Sequence, residues 1–171
     1  MLILFTIGVL LYSLGVWIAS LFGNEKAKLW VEGRRKQKPV DWLKSKLRRL
    51  SHPHADPQEP DLDWIWFHAA SLGEFEQGRP VIEAIRKQFP QFKILLTFFS
   101  PSGYELRKDY AYADEVAYLP VDTPRNAARW VKSHHFVAAF FIKYDFWFNY
   151  MRALKKAGIP LFYISLILHE D

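Results

Sequence analysis

The chain has 171 residues, half of them hydrophobic and 17% aromatic, with no cysteine and a formal net charge of +5. That length and apolar content suit one α/β domain with a short appendage, and the lack of cysteine excludes disulfides and thiolate metal sites. The charge excludes a nucleic-acid reading: ten Lys/Arg lie between Gly23 and Leu50 against three acids, leaving a net −2 on the rest of the chain.

Residues Leu2 to Phe22 carry no charge. As a helix rising about 1.5 Å per residue, this stretch matches a hydrocarbon core roughly 30 Å thick. There is no basic leader and no small-x-small cleavage site, so residues 1–22 are expected to be a membrane-anchor helix rather than a signal peptide. The basic segment that follows, residues 23–63 with its linker, then places the globular part on the cytoplasmic side. Within it Val40, Leu43, Leu47 and Leu50 form a stripe at helical spacing beside Lys44, Lys46, Arg48 and Arg49. Two readings stand for this helix: one lying on anionic headgroups, or one packed on the domain. Ser51 to Asp63 is a Pro- and acid-rich linker that marks a domain boundary. His52 and His54 within it are read as solvated rather than metal-binding.

From Trp64 the pattern alternates strand and helix. Strands are expected at Trp64–His68, Phe92–Phe99, Val116–Leu119, Phe136–Ile142 and Leu161–Leu168. Between them come a helix opened by Pro80, a short one near Ser102 to Asp109, one opened by Asp122-Thr-Pro124, and one carrying Trp147, Met151 and Leu154. Asp145 is expected to cap that last helix and Gly158 to stop it. Five strands with crossover helices make a Rossmann-like parallel sheet over residues 64–171. Such a sheet needs both faces covered, so a chain stopping on a strand at Asp171 reads as one half of a larger architecture.

Ligands of open α/β sheets bind beyond the carboxyl ends of the strands, and polar residues gather there. Ser71, Gly73, Glu74 and Arg79 follow the first strand; Ser100, Ser102 and Gly103 follow the second. Asp122 follows the third, and Lys143 and Asp145 the fourth. A carboxylate at Glu74 suits a general base for a sugar hydroxyl. Ser71-x-x-Glu74 equally fits a capping box, in which the Glu ties up a backbone N–H. Pro80 argues against a helix starting at Ser71, because it would then lie in the interior; an irregular turn over Gly73–Gly78 is expected, with Glu74 in a loop. Ser102, Asp122 and Asp145 can equally be caps, and Lys143 a solvated charge. His68 is read as a hydrogen-bonded core histidine, and His134-His135 as lacking zinc-ligand spacing. There is no G-x-G-x-x-G after the first strand, no Walker A loop and no G-x-S-x-G elbow.

Four separated motifs resemble the 3-deoxy-D-manno-octulosonic acid (Kdo) transferases of lipid A synthesis. They are Trp66-Phe-His68-Ala-Ala-Ser71-Leu-Gly73-Glu74-Phe, Leu96-Thr-Phe-Phe-Ser100-Pro-Ser102-Gly103, Tyr118-Leu-Pro120-Val-Asp122, and Lys143-Tyr-Asp145-Phe-Trp147-Phe-Asn149, followed by Gly158-Ile-Pro160. The resemblance implies the acceptor-binding N-terminal half of a GT-B glycosyltransferase at the bacterial inner membrane. It implies transfer of Kdo from CMP-Kdo to a lipid A precursor (lipid IVA) with inversion, Glu74 as general base, and no catalytic metal or other cofactor. CMP-Kdo would be held by a C-terminal domain that this chain lacks. Many members carry two acids where this chain has Lys143 and Asp145, so a carboxylate role at position 143 is void and the one at Asp145 is shorter by a methylene. Lys and Arg near the headgroups would concentrate an anionic lipid acceptor. The other classes considered are a membrane-tethered scaffold without catalysis and a GT-B transferase for another lipid-linked acceptor.

Overall fold

The computed structural model describes residues 2–37 and 63–166. The stripe from Val40 to Leu50, the linker with His52 and His54, and the end of the fifth expected strand lie outside the described residues. Two helices, α1 (Leu2–Leu21) and α2 (Glu25–Lys36), precede a sheet of β1 (Asp63–Ala69), β2 (Lys93–Phe98), β3 (Glu115–Tyr118), β4 (His135–Ile142) and β5 (Leu161–Ile164). The crossovers carry α3 (Leu72–Gln88), α4 (Pro101–Arg107), α5 (Pro124–Val131) and α6 (Phe148–Ala157). All pairings are parallel, in the order β3-β2-β1-β4-β5. The sheet is the Rossmann-like one expected from the sequence.

β1 lies at the centre because it is apolar on both faces. Trp66 faces a cluster with Trp130 of α5 and Tyr150 and Leu154 of α6. Ile65, Phe67 and Ala69 face the opposite cluster, with Phe75 and Ile82 of α3. The chain runs outward through β2 and β3, then returns to the other side of β1 with β4. The order therefore reverses between β1 and β4, and this switch point opens a crevice at the carboxyl edge.

The helix expected to begin at Pro80 begins at Leu72 instead, with Pro80 in its interior. An interior proline is disfavoured by roughly 3 kcal/mol in isolation. Here the buried stripe Phe75, Gly78 and Ile82 runs along one face on both sides of it, and packing outweighs propensity. Pro80 itself is exposed. Asp145 does not cap α6: Trp147 is the N-cap residue, and the first turn is capped from outside by Asp122. Gly158 does end α6, in the left-handed conformation at φ 72°.

The N-terminal helices pack on the carboxyl edge. Phe5 of α1 meets Phe148 edge-on at 4.9 Å, Thr6 Oγ1 accepts from Asn149 Nδ2 at 3.2 Å, and Tyr12 lies 6.0 Å from Phe99. The opposite side of α1, with Ile3, Leu4, Ile7, Leu11, Leu14 and Ile18, is exposed. By length and composition α1 could cross a membrane. From α2, Arg34 donates to the carbonyls of Phe99 at 2.8 Å and Leu119 at 3.1 Å, and its guanidinium sits 3.9 Å above the Trp30 ring. Burial pulls Arg34 down to about 9, so it stays charged at neutral pH. Gln37 pairs with the backbone of edge strand β3, donating to Tyr118 O at 3.0 Å and accepting from Tyr118 N at 2.8 Å.

The packing makes Trp66 the keystone of the α5–α6 side, with rings of Trp130, Phe136, Phe141 and Tyr150 all within 5.9 Å. Trp66→Ala is expected to lower unfolding stability by about 3–5 kcal/mol, read by denaturant titration of the detergent-solubilised chain.

Candidate active site at the switch point

The residues that meet at the reversal come from the ends of β1 and β4. His68, at the end of β1, is fully buried. Its Nδ1 lies 2.9 Å from Thr97 Oγ1 on β2, its partner in register. Thr97 Oγ1 also accepts from Trp66 Nε1 at 2.8 Å and donates to Phe67 O at 3.1 Å. The other ring nitrogen, Nε2, faces Asp145 Oδ2 at 3.7 Å. The Trp147 ring closes over His68 at 5.9 Å and packs on Phe99 at 4.8 Å.

After β1 the small residues Ala69-Ala70-Ser71 lead directly into α3, and Glu74 stands in its first turn. There the N-terminal end of the helix dipole favours a negative charge. The contact is not a reciprocal capping box. Ser71 makes no side-chain cap bond to the helix backbone; its hydroxyl donates to Glu74 Oε2. Glu74 is half-buried, and a Cβ on exposed Gly73 would meet no atom closer than Ser71 Oγ at 3.9 Å, so the space over this turn is open. The charge of Glu74 acts on Asp145: burial first, and then that charge, push the Asp145 carboxyl up to about 7. A half-buried carboxyl with a raised proton affinity, Asp145, therefore stands within reach of the Glu74 charge.

The remaining expected site residues divide. Ser100 lies beside the crevice, its N–H donating to Ala70 O at 2.7 Å and its hydroxyl capping α4 at Ser102 N. Ser102 is exposed, and its Oγ lies 3.0 Å from that of Ser100. Gly103 serves packing instead: it is buried where any Cβ would run into the Phe98 ring. Asp122 is fully buried. Its Oδ2 accepts from Asn149 N at 3.2 Å and its carbonyl from Asn149 Nδ2 at 3.0 Å, so it pins the start of α6 rather than facing open space. Lys143 adopts φ 61° and uses its N–H on Ile164 O at 2.8 Å, which ties β4 to β5 and turns the chain toward Asp145. Arg79 turns away: its Nε pairs with Glu76 Oε2 at 3.2 Å, and it lines a cavity of about 420 Å³ with Glu83 and Arg107 between α3 and α4. His68 is the hydrogen-bonded core histidine expected near the site, and Thr97 was not expected there. The only sequence signal for Thr97 was a threonine inside an otherwise apolar strand. Among the described residues no three His, Asp or Glu side chains converge as a metal site would require.

Residues 42–171 match the family model described as 3-deoxy-D-manno-octulosonic-acid transferase (kdotransferase). The chain belongs to the Kdo transferase family. A 3-deoxy-D-manno-octulosonic acid transferase of Chlamydia muridarum is 29% identical over 63% of this chain and 25% of its own length. The Haemophilus influenzae protein of that name is 29% identical over 59% of this chain and 24% of its own length. A probable mitochondrial one from Arabidopsis thaliana is 31% identical over 66% of this chain and 25% of its own length. The chain thus spans about a quarter of the length of the curated relatives it matches. Members of this family are glycosyltransferases, and the match encloses every residue of the switch-point site.

The buried acids predict a pH dependence. Burial raises Asp122 from 3.8 to about 6 and Asp145 from 3.8 to about 7, so between these limits the folded state holds more protons than the unfolded one. Stability from these groups is present below about pH 4 and is lost as pH rises to about 7. Asp122→Asn is expected to flatten the lower part of that decline, and Asp145→Asn the upper part, in melting temperatures recorded across the range.

Proposed function

We propose that this chain is the acceptor-binding part of an inverting GT-B Kdo transferase, in which Glu74 removes the proton from a sugar hydroxyl of a lipid A precursor as that oxygen attacks CMP-Kdo. The observation that carries this reading is the position of Glu74: first turn of α3, at the switch point, with open space over Gly73 and the Asp145 carboxyl near enough to feel its charge. The helix start and the Ser71 hydroxyl both favour the ionised form, and an ionised carboxylate at a cleft is what a base requires. Asp145 and the Ser100–Ser102 turn border the same crevice and are proposed to contact the acceptor. Gly103 and Asp122 are buried and Arg79 pairs with Glu76, so the contact is proposed through Asp145 and the serine turn first. Donor binding is assigned to a second domain, and the chemistry as proposed uses no catalytic metal.

The acceptor's lipid chains fit the apolar surface beside the site. The outward face of α1, together with exposed Phe146 and Phe148 at the same edge, is proposed to lie in the inner membrane. Lys26, Lys28, Arg35 and Lys36 of α2 stand exposed at its border, where anionic headgroups would meet them. The reading as a scaffold without catalysis has no observation in its favour that this one lacks.

Two experiments test the proposal. Titrated with lipid A precursor and with CMP-Kdo, the chain alone should bind the lipid and not the nucleotide sugar; binding of neither would overturn the acceptor role. Joined to a CMP-Kdo-binding half, the Glu74→Gln variant should lose transfer by about a hundredfold or more, as removal of a general base does. Near-normal turnover would remove Glu74 from the mechanism.

A further inference from the structure

We propose that His68 and Asp145 share one proton, carried on Asp145, and that His68 is thereby a positioning residue that keeps Asp145 a neutral hydrogen-bond donor beside Glu74. The argument starts from Thr97, whose hydroxyl has one hydrogen and two lone pairs. The Trp66 indole can only donate, so its bond at 2.8 Å takes one lone pair. The hydroxyl hydrogen goes to the Phe67 carbonyl at 3.1 Å. What remains toward His68 Nδ1, at 2.9 Å, is the second lone pair, so Nδ1 must carry a hydrogen. A neutral imidazole in that tautomer presents a bare lone pair at Nε2.

That lone pair faces Asp145 Oδ2 at 3.7 Å. Both atoms are sealed from solvent, and neither has a hydrogen-bond partner among the described residues. An imidazole lone pair and an ionised carboxylate oxygen repel when buried face to face, and one hydrogen between them removes the conflict. A small rotation of the carboxyl then closes the gap to a hydrogen bond.

Burial and the nearby charges favour placing that hydrogen on Asp145, against the opposing hydrogen bonds of Thr97 to His68 and of Ala70 to Asp145. Around the ring stand Trp66, Phe141 and Trp147. Burial foremost, with the positive charge of Arg34 on α2 adding to it, holds His68 at about 3 and so denies it a second proton. On the other side, burial and the charge of Glu74 on α3 raise Asp145 to about 7, partly offset by the Ala70 N–H. Tyr163 of β5, the remaining titratable group coupled to Asp145, is itself raised and stays neutral. The link to catalysis rests on the proposed role of Glu74; the proton placement does not.

The test is nuclear magnetic resonance on the full chain in detergent micelles, with nitrogen-labelled histidine and carbon-labelled aspartate. His68 should remain neutral with hydrogen on Nδ1 from about pH 5 up to the Asp145 midpoint near 7. The Asp145 carboxyl carbon should titrate near 7 rather than near 3.8. Asp145→Asn should leave the His68 signature unchanged, because the amide donates to Nε2 as the neutral acid does. Thr97→Val should release the ring to the opposite tautomer; should that variant not fold, the other two measurements still decide. Hydrogen on Nε2, an imidazolium at neutral pH, or ordinary titration of Asp145 would overturn the proposal. If Glu74→Gln proved active in transfer, the signals of the unsubstituted chain would still stand, so the two ideas fail separately.

Discussion

A central strand of a parallel sheet has no water to turn to. β1 is hydrogen-bonded on both edges and covered on both faces, so each polar atom on it must find its partner inside the protein. His68 meets that demand through Thr97, directly across in the register with β2, and Thr97 in turn anchors the Trp66 indole. One hydroxyl therefore fixes two large side chains on the same face of the sheet. It also fixes which nitrogen of the histidine points toward the crevice.

The same scarcity of water governs the opposite side of the crevice. Asp145 is held there because the start of α6 is already capped by Asp122 from the β3–α5 connection, which leaves the Lys143–Trp147 loop free to turn inward. The left-handed residue Lys143 makes that turn while its N–H stays in the β4–β5 ladder. Glu74 supplies a like charge to a group that burial has already made reluctant to ionise. The less well solvated carboxyl is the one whose proton affinity rises, and burial puts Asp145 in that place.

The helices before the sheet join this arrangement to a surface. Arg34 caps the carbonyl ends beyond β2 and β3 and places a fixed positive charge near the buried histidine. α1 rests along the same edge through Phe5, Thr6 and Tyr12. Thr6 and Ser13 lie on the inward side and also bond Leu2 O at 2.9 Å and Val9 O at 2.8 Å, while the outer face exposes Ile3, Leu4, Ile7, Leu11, Leu14 and Ile18. The crevice and the apolar helix are thus neighbours by direct contact, which is the geometry a lipid-borne sugar would need.

Much of this was determined by the sequence alone. Apolar runs located all five strands, because strands packed into a core are built mostly from apolar side chains. Asp122-Thr-Pro124 and Ser100-Pro-Ser102 marked two helix starts through local chemistry, although the caps are Thr123 and Ser100 rather than the expected Asp122 and Ser102. What only the tertiary structure decided was which local rule prevailed where two conflicted. Pro80 signalled a helix start, but burial of Phe75, Gly78 and Ile82 against the sheet carried α3 back to Leu72. Asp145 looked like a cap, and Asp122, far away in sequence, took that place. The partnership of His68 with Thr97 and Asp145 had no local signature at all, since it arises only when the strand order brings the ends of β1, β2 and β4 side by side.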